Sequence, residues 1–354
     1  MDGGNRLAAF TTPWGQRTRQ SLARFAVLAA VVACAPSTAP LTVPGPATAA
    51  RVLRSPSSVW GFTAPWDARS DSSVIANGPR LDAVVTGWIQ LDSASGEPSL
   101  LYPDDAKRPG SPRQRFALVT SWHGRRFHPE MVRRVAGDSA ALSKLAARVG
   151  DIVRDGGYAG VVLDLEDQAR GDTSVLVSAI RSIGSAARRA GANTVAVAIP
   201  AGDTAAYPTR IFFPVADAAV VMLYDEHWST SAPGPIATPD WVRRTLAQRV
   251  ADVGADRLVA ALPLYGYLWR GTQAGEPLSF ADARRAAAQA NVDLARDPSS
   301  ISLHAFQPGV WELWMTDAEL LRVLVDQAMG LGVRRIALWR LGQEDPAVWQ
   351  ALRR

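Results

Sequence analysis

The stretch Gly157-Tyr158-Ala159-Gly160-Val161-Val162-Leu163-Asp164-Leu165-Glu166-Asp167 decides how the rest of the chain is read. Val161, Val162, Leu163 and Leu165 are β-forming residues and glycines bound the run upstream, so the stretch predicts a strand. Successive strand side chains point to opposite faces, which puts Asp164 and Glu166 on one face, about 7 Å apart along the strand. Two carboxylates closing an otherwise apolar strand enter solvent, meet arginines, or do chemistry in a cleft. Spacing alone leaves these alternatives open.

Working outward, β-like apolar runs alternate with Ala/Arg-rich helical stretches from about residue 58 onward. The expected strands are Val59–Thr63, Leu81–Leu91, Phe116–Trp122, Gly160–Asp164, Thr194–Ile199, Ala218–Leu223, Leu258–Pro263 and Arg335–Trp339. Helical patterns cover Ser139–Asp155, Thr173–Ala190, Pro239–Val253 and Asp317–Leu331. Eight strands with intervening helices predict an α/β fold of the (β/α)8 TIM barrel kind, and 354 residues suffice for it. The segment from about 264 to 316 is too long for one helix. It holds a helical piece, Phe280–Asn291, and β-like segments Ser302–Phe306 and Val310–Trp314, so a small α+β insertion is expected after strand seven.

Active sites of such barrels lie at the C-terminal strand ends. Strand four ends in Asp164 and Glu166. Strand six runs into Met222-Leu223-Tyr224-Asp225-Glu226-His227-Trp228, strand seven into Tyr265-Gly266-Tyr267, and strand eight into Trp339-Arg340-Leu341-Gly342-Gln343-Glu344-Asp345. Carboxylates and flat aromatics are the groups that bind and cleave sugars.

These residues resemble the chitinase-like family 18 glycoside hydrolases. The family motif D-x-x-D-x-D-x-E falls on Ala159, Val162, Asp164 and Glu166, so the last two acids are present and the first two are absent. Met222-Leu223-Tyr224 is similar to the family's M-x-Y. Tyr224–Trp228 with Pro233-Gly234-Pro235, and Ala337–Asp345, resemble the bacterial subgroup of spore-cortex and cell-wall lytic enzymes, over about residues 58–350. The resemblance implies Glu166 as general acid, Asp164 as the group that holds the substrate's acetamido N–H, and Tyr224 as hydrogen-bond partner of the acetamido oxygen. It implies hydrolysis of β-1,4 bonds in N-acetylglucosamine-containing glycans, peptidoglycan before chitin, with net retention and no protein nucleophile.

Trp339 is the candidate floor of the sugar site, or core filling. Asp225 is a candidate sugar or Glu166 contact, or a structural hydrogen bond. Tyr265 and Tyr267 are candidates for lining the groove, against plain packing, as are Trp60, Trp66 and Trp88. In the family the acid at the Val162 position pairs with the later Asp, and valine cannot do that. The rival expectation is therefore a catalytically silent, glycan-binding barrel.

Net charge is +5, and Arg6, Arg17, Arg19 and Arg24 against Asp2 put +3 of it in residues 1–33. The remainder gives no reason to invoke nucleic acid. Arg17, Arg19 and Arg24 closely precede the apolar run Phe25–Ala33, too short to span a bilayer but suited to a signal peptide. The run ends at Cys34, the single cysteine, in what looks like a bacterial lipobox. The expectation is a signal peptide over 1–33, lipidation at Cys34, a Pro/Ala/Thr-rich disordered linker over 35–56, and a catalytic barrel over 57–354. That describes a monomer held in the cell envelope by a lipid anchor at Cys34. The alternatives are soluble secretion after cleavage near Ala47-Thr48-Ala49 and an uncleaved anchor. His123, His128, His227 and His304 show no ligand spacing, and no phosphate-cradling loop is present, so neither metal nor cofactor is expected.

Overall fold

The computed structural model describes residues 56–102, 114–213 and 215–352. The expected signal peptide, Cys34 and nearly all of the linker lie outside the described residues.

Eight parallel strands close into a barrel: Ser58–Phe62, Ala83–Leu91, Gln114–Thr120, Gly160–Asp164, Thr194–Pro200, Ala218–Met222, Leu258–Pro263 and Arg335–Trp339. They are referred to here as strands one to eight. Closure is made by strand one, which pairs in parallel with strand eight on one side and strand two on the other. Strands buried on both faces read as continuous apolar runs rather than alternating ones, and Leu258–Pro263 is buried at every position. The inward set is fitted by size: Trp60 packs edge-on against Phe116 with ring centroids 5.1 Å apart, while strands five and six contribute Ala196, Ala198 and Ala218. The outward set, including Val161 and Leu163, packs on the helices.

Helices Ser139–Gly156, Thr173–Arg189, Pro239–Val253 and Ala318–Gly330 fall on the predicted patterns. Their ends follow local chemistry. Asp138 accepts hydrogen bonds from the Ala140 and Ala141 amides, and Thr238 caps Trp241 with Pro239 in the first turn. Gly157, at φ 61°, takes the left-handed conformation that ends its helix and turns the chain into strand four. Helices Ala68–Asn77 and Pro129–Ala136 were not predicted. The first is rich in Ser, Asp and Asn, which compete for backbone hydrogen bonds, and it depends on the Asp67 cap. Among the described residues, strand two is followed by the antiparallel strand Pro98–Leu101, and the chain between strands five and six holds the short 3-10 turn Thr209–Phe212 but no α-helix.

The expected insertion forms a five-stranded antiparallel sheet, in spatial order 276–278, 266–270, 311–315, 303–307 and 295–296. Helix Phe280–Gln289 covers one face, through Ala283 against Leu268, Leu313 and Met315.

Candidate active site

Val162 and Asp164 both point into the barrel because they lie two apart on strand four. Asp164 is 1% exposed. Strand three pairs with strand four so that Thr120 stands opposite Asp164, and its hydroxyl donates to Asp164 Oδ2 at 2.9 Å. Burial pushes the Asp164 carboxyl up to about 7, against the opposing pull of its hydrogen bonds with Thr120 and Glu166; the Asp167 charge adds to the rise. The acids that shared a face in the sequence thus share a hydrogen bond in the fold.

Tyr224 follows strand six. Burial first, then the negative charges of Glu166, Asp164 and Asp225, push its hydroxyl well above the usual phenol range, so it stays a neutral donor. Its ring stacks on Trp339, the last residue of strand eight, with centroids 6.3 Å apart and planes 18° apart. Phe62 and Trp88 flank the same indole at 5.6 and 6.3 Å. Asp225 adopts φ 59°, a left-handed conformation that Asp tolerates better than most residues, and its Oδ1 accepts a hydrogen bond from the Tyr265 hydroxyl. Tyr265 meets Tyr224 and Tyr267 edge-on, at 6.3 and 5.5 Å. Strand ends six, seven and eight are thereby linked through one set of contacts, and the charges of Asp164 and Glu166 at the end of strand four act on the same Tyr224 hydroxyl.

Other candidates stand elsewhere. Trp60 packs against Phe116 inside the barrel, and Tyr267 lies in the buried aromatic layer beside Trp269. Trp66 is half-buried at the rim against Trp88, 4.8 Å between centroids. Glu226 accepts a hydrogen bond from the Thr238 amide at the start of helix Pro239–Val253, and His227 bonds the Ala232 carbonyl. Val162 is fully buried in the apolar layer between Leu118 and Ala196. Among the described residues no group of three or more His, Cys, Asp or Glu is placed to hold a metal ion, and no helix is long and apolar enough to cross a membrane.

Two supporting residues were missed from sequence. Thr120 stands at the end of strand three, where the inspection of strand ends applied elsewhere would have found it. Tyr207 lies in the loop after strand five; its hydroxyl donates to the Leu165 carbonyl and accepts from the Gln168 amide, on either side of Glu166. Nothing in the local sequence marks it.

No family model matches the chain. It is 28% identical over 160 residues to the Bacillus subtilis (strain 168) protein YdhD, assigned as a sporulation-specific glycosylase; the match covers 44% of this chain and 38% of YdhD. It is 21% identical over 251 residues to the cortical fragment-lytic enzyme of the same organism, covering 66% of this chain and 58% of that protein. The chain thus spans less than two thirds of the length of these curated relatives. Among solved structures, the spore cortex-lytic enzyme SleL of Bacillus cereus superposes with a TM-score of 0.74 at 18% identity, covering 83% of this chain and 73% of that one. A chitinase of Chromobacterium violaceum superposes at 0.72 with 22% identity, covering 83% and 97%. The solved structures show that the fold is the chitinase-like barrel, and the curated relatives, a glycosylase and a cortical fragment-lytic enzyme, agree with the resemblance to cell-wall lytic glycoside hydrolases first carried by the strand-end motifs.

Proposed function

We propose that the protein is a retaining glycoside hydrolase that cleaves β-1,4 bonds next to N-acetylglucosamine, in peptidoglycan first and chitin-like glycans second. The observation that carries the proposal is the buried Asp164 in hydrogen-bond contact with the half-buried Glu166, with Tyr224 close enough to feel both charges. Glu166 protonates the glycosidic oxygen, and the substrate's own acetamido oxygen attacks the anomeric carbon as the leaving sugar departs. Asp164 accepts a hydrogen bond from the acetamido N–H and faces the positive charge of the oxazolinium ion. Tyr224 donates to the acetamido oxygen and holds it in line, an alignment that removes several kcal/mol of barrier. Water then adds to the anomeric carbon, giving its proton to Glu166, and the original configuration is restored. Preference for a cell-wall glycan is supported by the names of the relatives, a cortical fragment-lytic enzyme and a spore cortex-lytic enzyme.

Export as a monomeric lipoprotein anchored through Cys34 belongs to the same proposal. Membrane partition of the full chain against Cys34→Ala tests it.

One observation favours the glycan-binding alternative: apolar packing occupies the Val162 position, where the family resemblance implies an acid. Release of reducing ends from purified peptidoglycan and from chitin oligomers separates the two. Turnover by the wild type that Glu166→Gln abolishes supports the hydrolase. Absence of turnover on both glycans, with sugar binding that survives Glu166→Gln, supports the binding protein.

A further inference from the structure

We infer that Tyr207 is a positioning residue for Glu166 and that the buried guanidinium of Arg249 holds Tyr207 in place; the inference rests on the hydrolase proposal for its catalytic consequence. At the end of strand four the chain bends through Leu165, Glu166, Asp167 and Gln168, with Asp167 at φ 59° in the left-handed region. In a β-turn the carbonyl of the first residue and the amide of the fourth face each other and often bond directly. Here the Tyr207 hydroxyl stands between them, donating to the Leu165 carbonyl at 2.9 Å and accepting from the Gln168 amide at 3.1 Å. The two residues enclosed by that bridge are Glu166 and Asp167. Gln168 adds a bond from its side-chain Nε2 to the Glu166 carbonyl at 3.1 Å.

The brace is dry and stays neutral. Tyr207 is 1% exposed, and burial together with the charges of Glu166, Asp167 and Asp164 pushes its hydroxyl well above the ordinary phenol range, so the proton it donates is retained.

Tyr207 is fixed from behind. Arg249, also 1% exposed, projects from helix Pro239–Val253 into the loop that follows strand five. Its Nη1 donates to the Tyr207 carbonyl at 2.6 Å and to Thr209 Oγ1 at 3.0 Å. Its Nη2 donates to the carbonyls of Pro200 and Asp203 at 2.6 and 3.1 Å, and Nε to that of Ala201 at 3.3 Å. A planar guanidinium with its rigid fork of donors organises such a ring of acceptors, and a lysine ammonium does not. The loop from 200 to 209 is thus wrapped around one cation, and its tyrosine hydroxyl sets the turn that aims Glu166.

Tyr207→Phe removes the hydroxyl and little else. In the full chain, acting on purified peptidoglycan or a chitin tetramer, we expect kcat to fall about 10- to 100-fold, the cost of a small misplacement of a reacting group. KM should stay within about twofold, because ground-state sugar contacts are untouched. Amide exchange at Gln168, followed by NMR, should speed up about tenfold or more. Arg249→Lys should move both readouts in the same direction. Wild-type kcat retained in Tyr207→Phe, or unchanged exchange at Gln168, overturns the inference. Should the wild type itself be inactive on both glycans, the hydrolase proposal fails separately. Faster exchange at Gln168 in Tyr207→Phe would then still establish the brace, and unchanged exchange would dismiss it.

Discussion

Val162 and Asp164 lie two residues apart on one strand, face the same way, and are both almost fully buried, yet their surroundings are opposite. Val162 is sealed between Leu118 and Ala196 in an apolar layer of the barrel. One layer higher, Asp164 meets the Thr120 hydroxyl and the Glu166 carboxyl. Strand four therefore carries an ionisable group at the barrel mouth and an apolar one in the layer beneath. The acid that the family resemblance implies below Asp164 is absent, and the hydrogen bond that holds Asp164 comes sideways, from strand three. A carboxylate needs a partner to be buried, and a neighbouring strand can supply it as well as the next residue down.

The largest effect that would sharpen this contrast is on turnover. Glu166→Gln keeps shape and removes the acid, so release of reducing ends should fall by about 10³-fold or more while sugar binding persists; undiminished turnover would remove Glu166 from the chemistry. Next is the layer below. Val162→Asp would place a carboxyl between Leu118 and Ala196 in an apolar layer, and urea denaturation should show a loss of roughly 3–5 kcal/mol. Wild-type stability in that variant would mean the layer is not dry.

Asp164→Asn tests the cost of the mouth itself. The folded-state pKa of Asp164 is raised from 3.8 to about 7, so the folded state binds this proton more tightly than the unfolded chain does. Its stability contribution is fully present below about pH 4 and is lost as pH rises through about 7. Asp164→Asn should then change Tm little in acid and raise it most at mildly alkaline pH. A Tm difference independent of pH would contradict the burial argument. The smallest effect belongs to Thr120→Val, which deletes one hydroxyl at near-constant shape. Thr120 pulls the Asp164 pKa down, so its loss should move the midpoint of the same Tm–pH curve upward and cost about 1 kcal/mol. An unchanged midpoint would show that Asp164 is held otherwise.

Much of this was legible in one dimension. The eight strands, the four main helices and the insertion follow from hydrophobic periodicity, because a parallel barrel strand is buried on both faces and its apolar run is visible in sequence. That Asp164, Glu166, Tyr224, Asp225 and Trp339 cluster at strand ends was legible because strand ends are local features of the sequence. Helix Ala68–Asn77 was not, since its polar composition hides a segment stabilised by a cap and by packing.

What only the tertiary structure decided are the relations across strands. That Thr120 stands beside Asp164 depends on strand register, which pairs positions 44 residues apart. That Tyr207 closes the turn around Glu166 depends on a loop wrapped around Arg249, 42 residues further along the chain. Periodicity reports which face a residue occupies. It carries no information on which residue of another strand arrives at the same height, because register and loop paths are settled by the packing of the whole barrel.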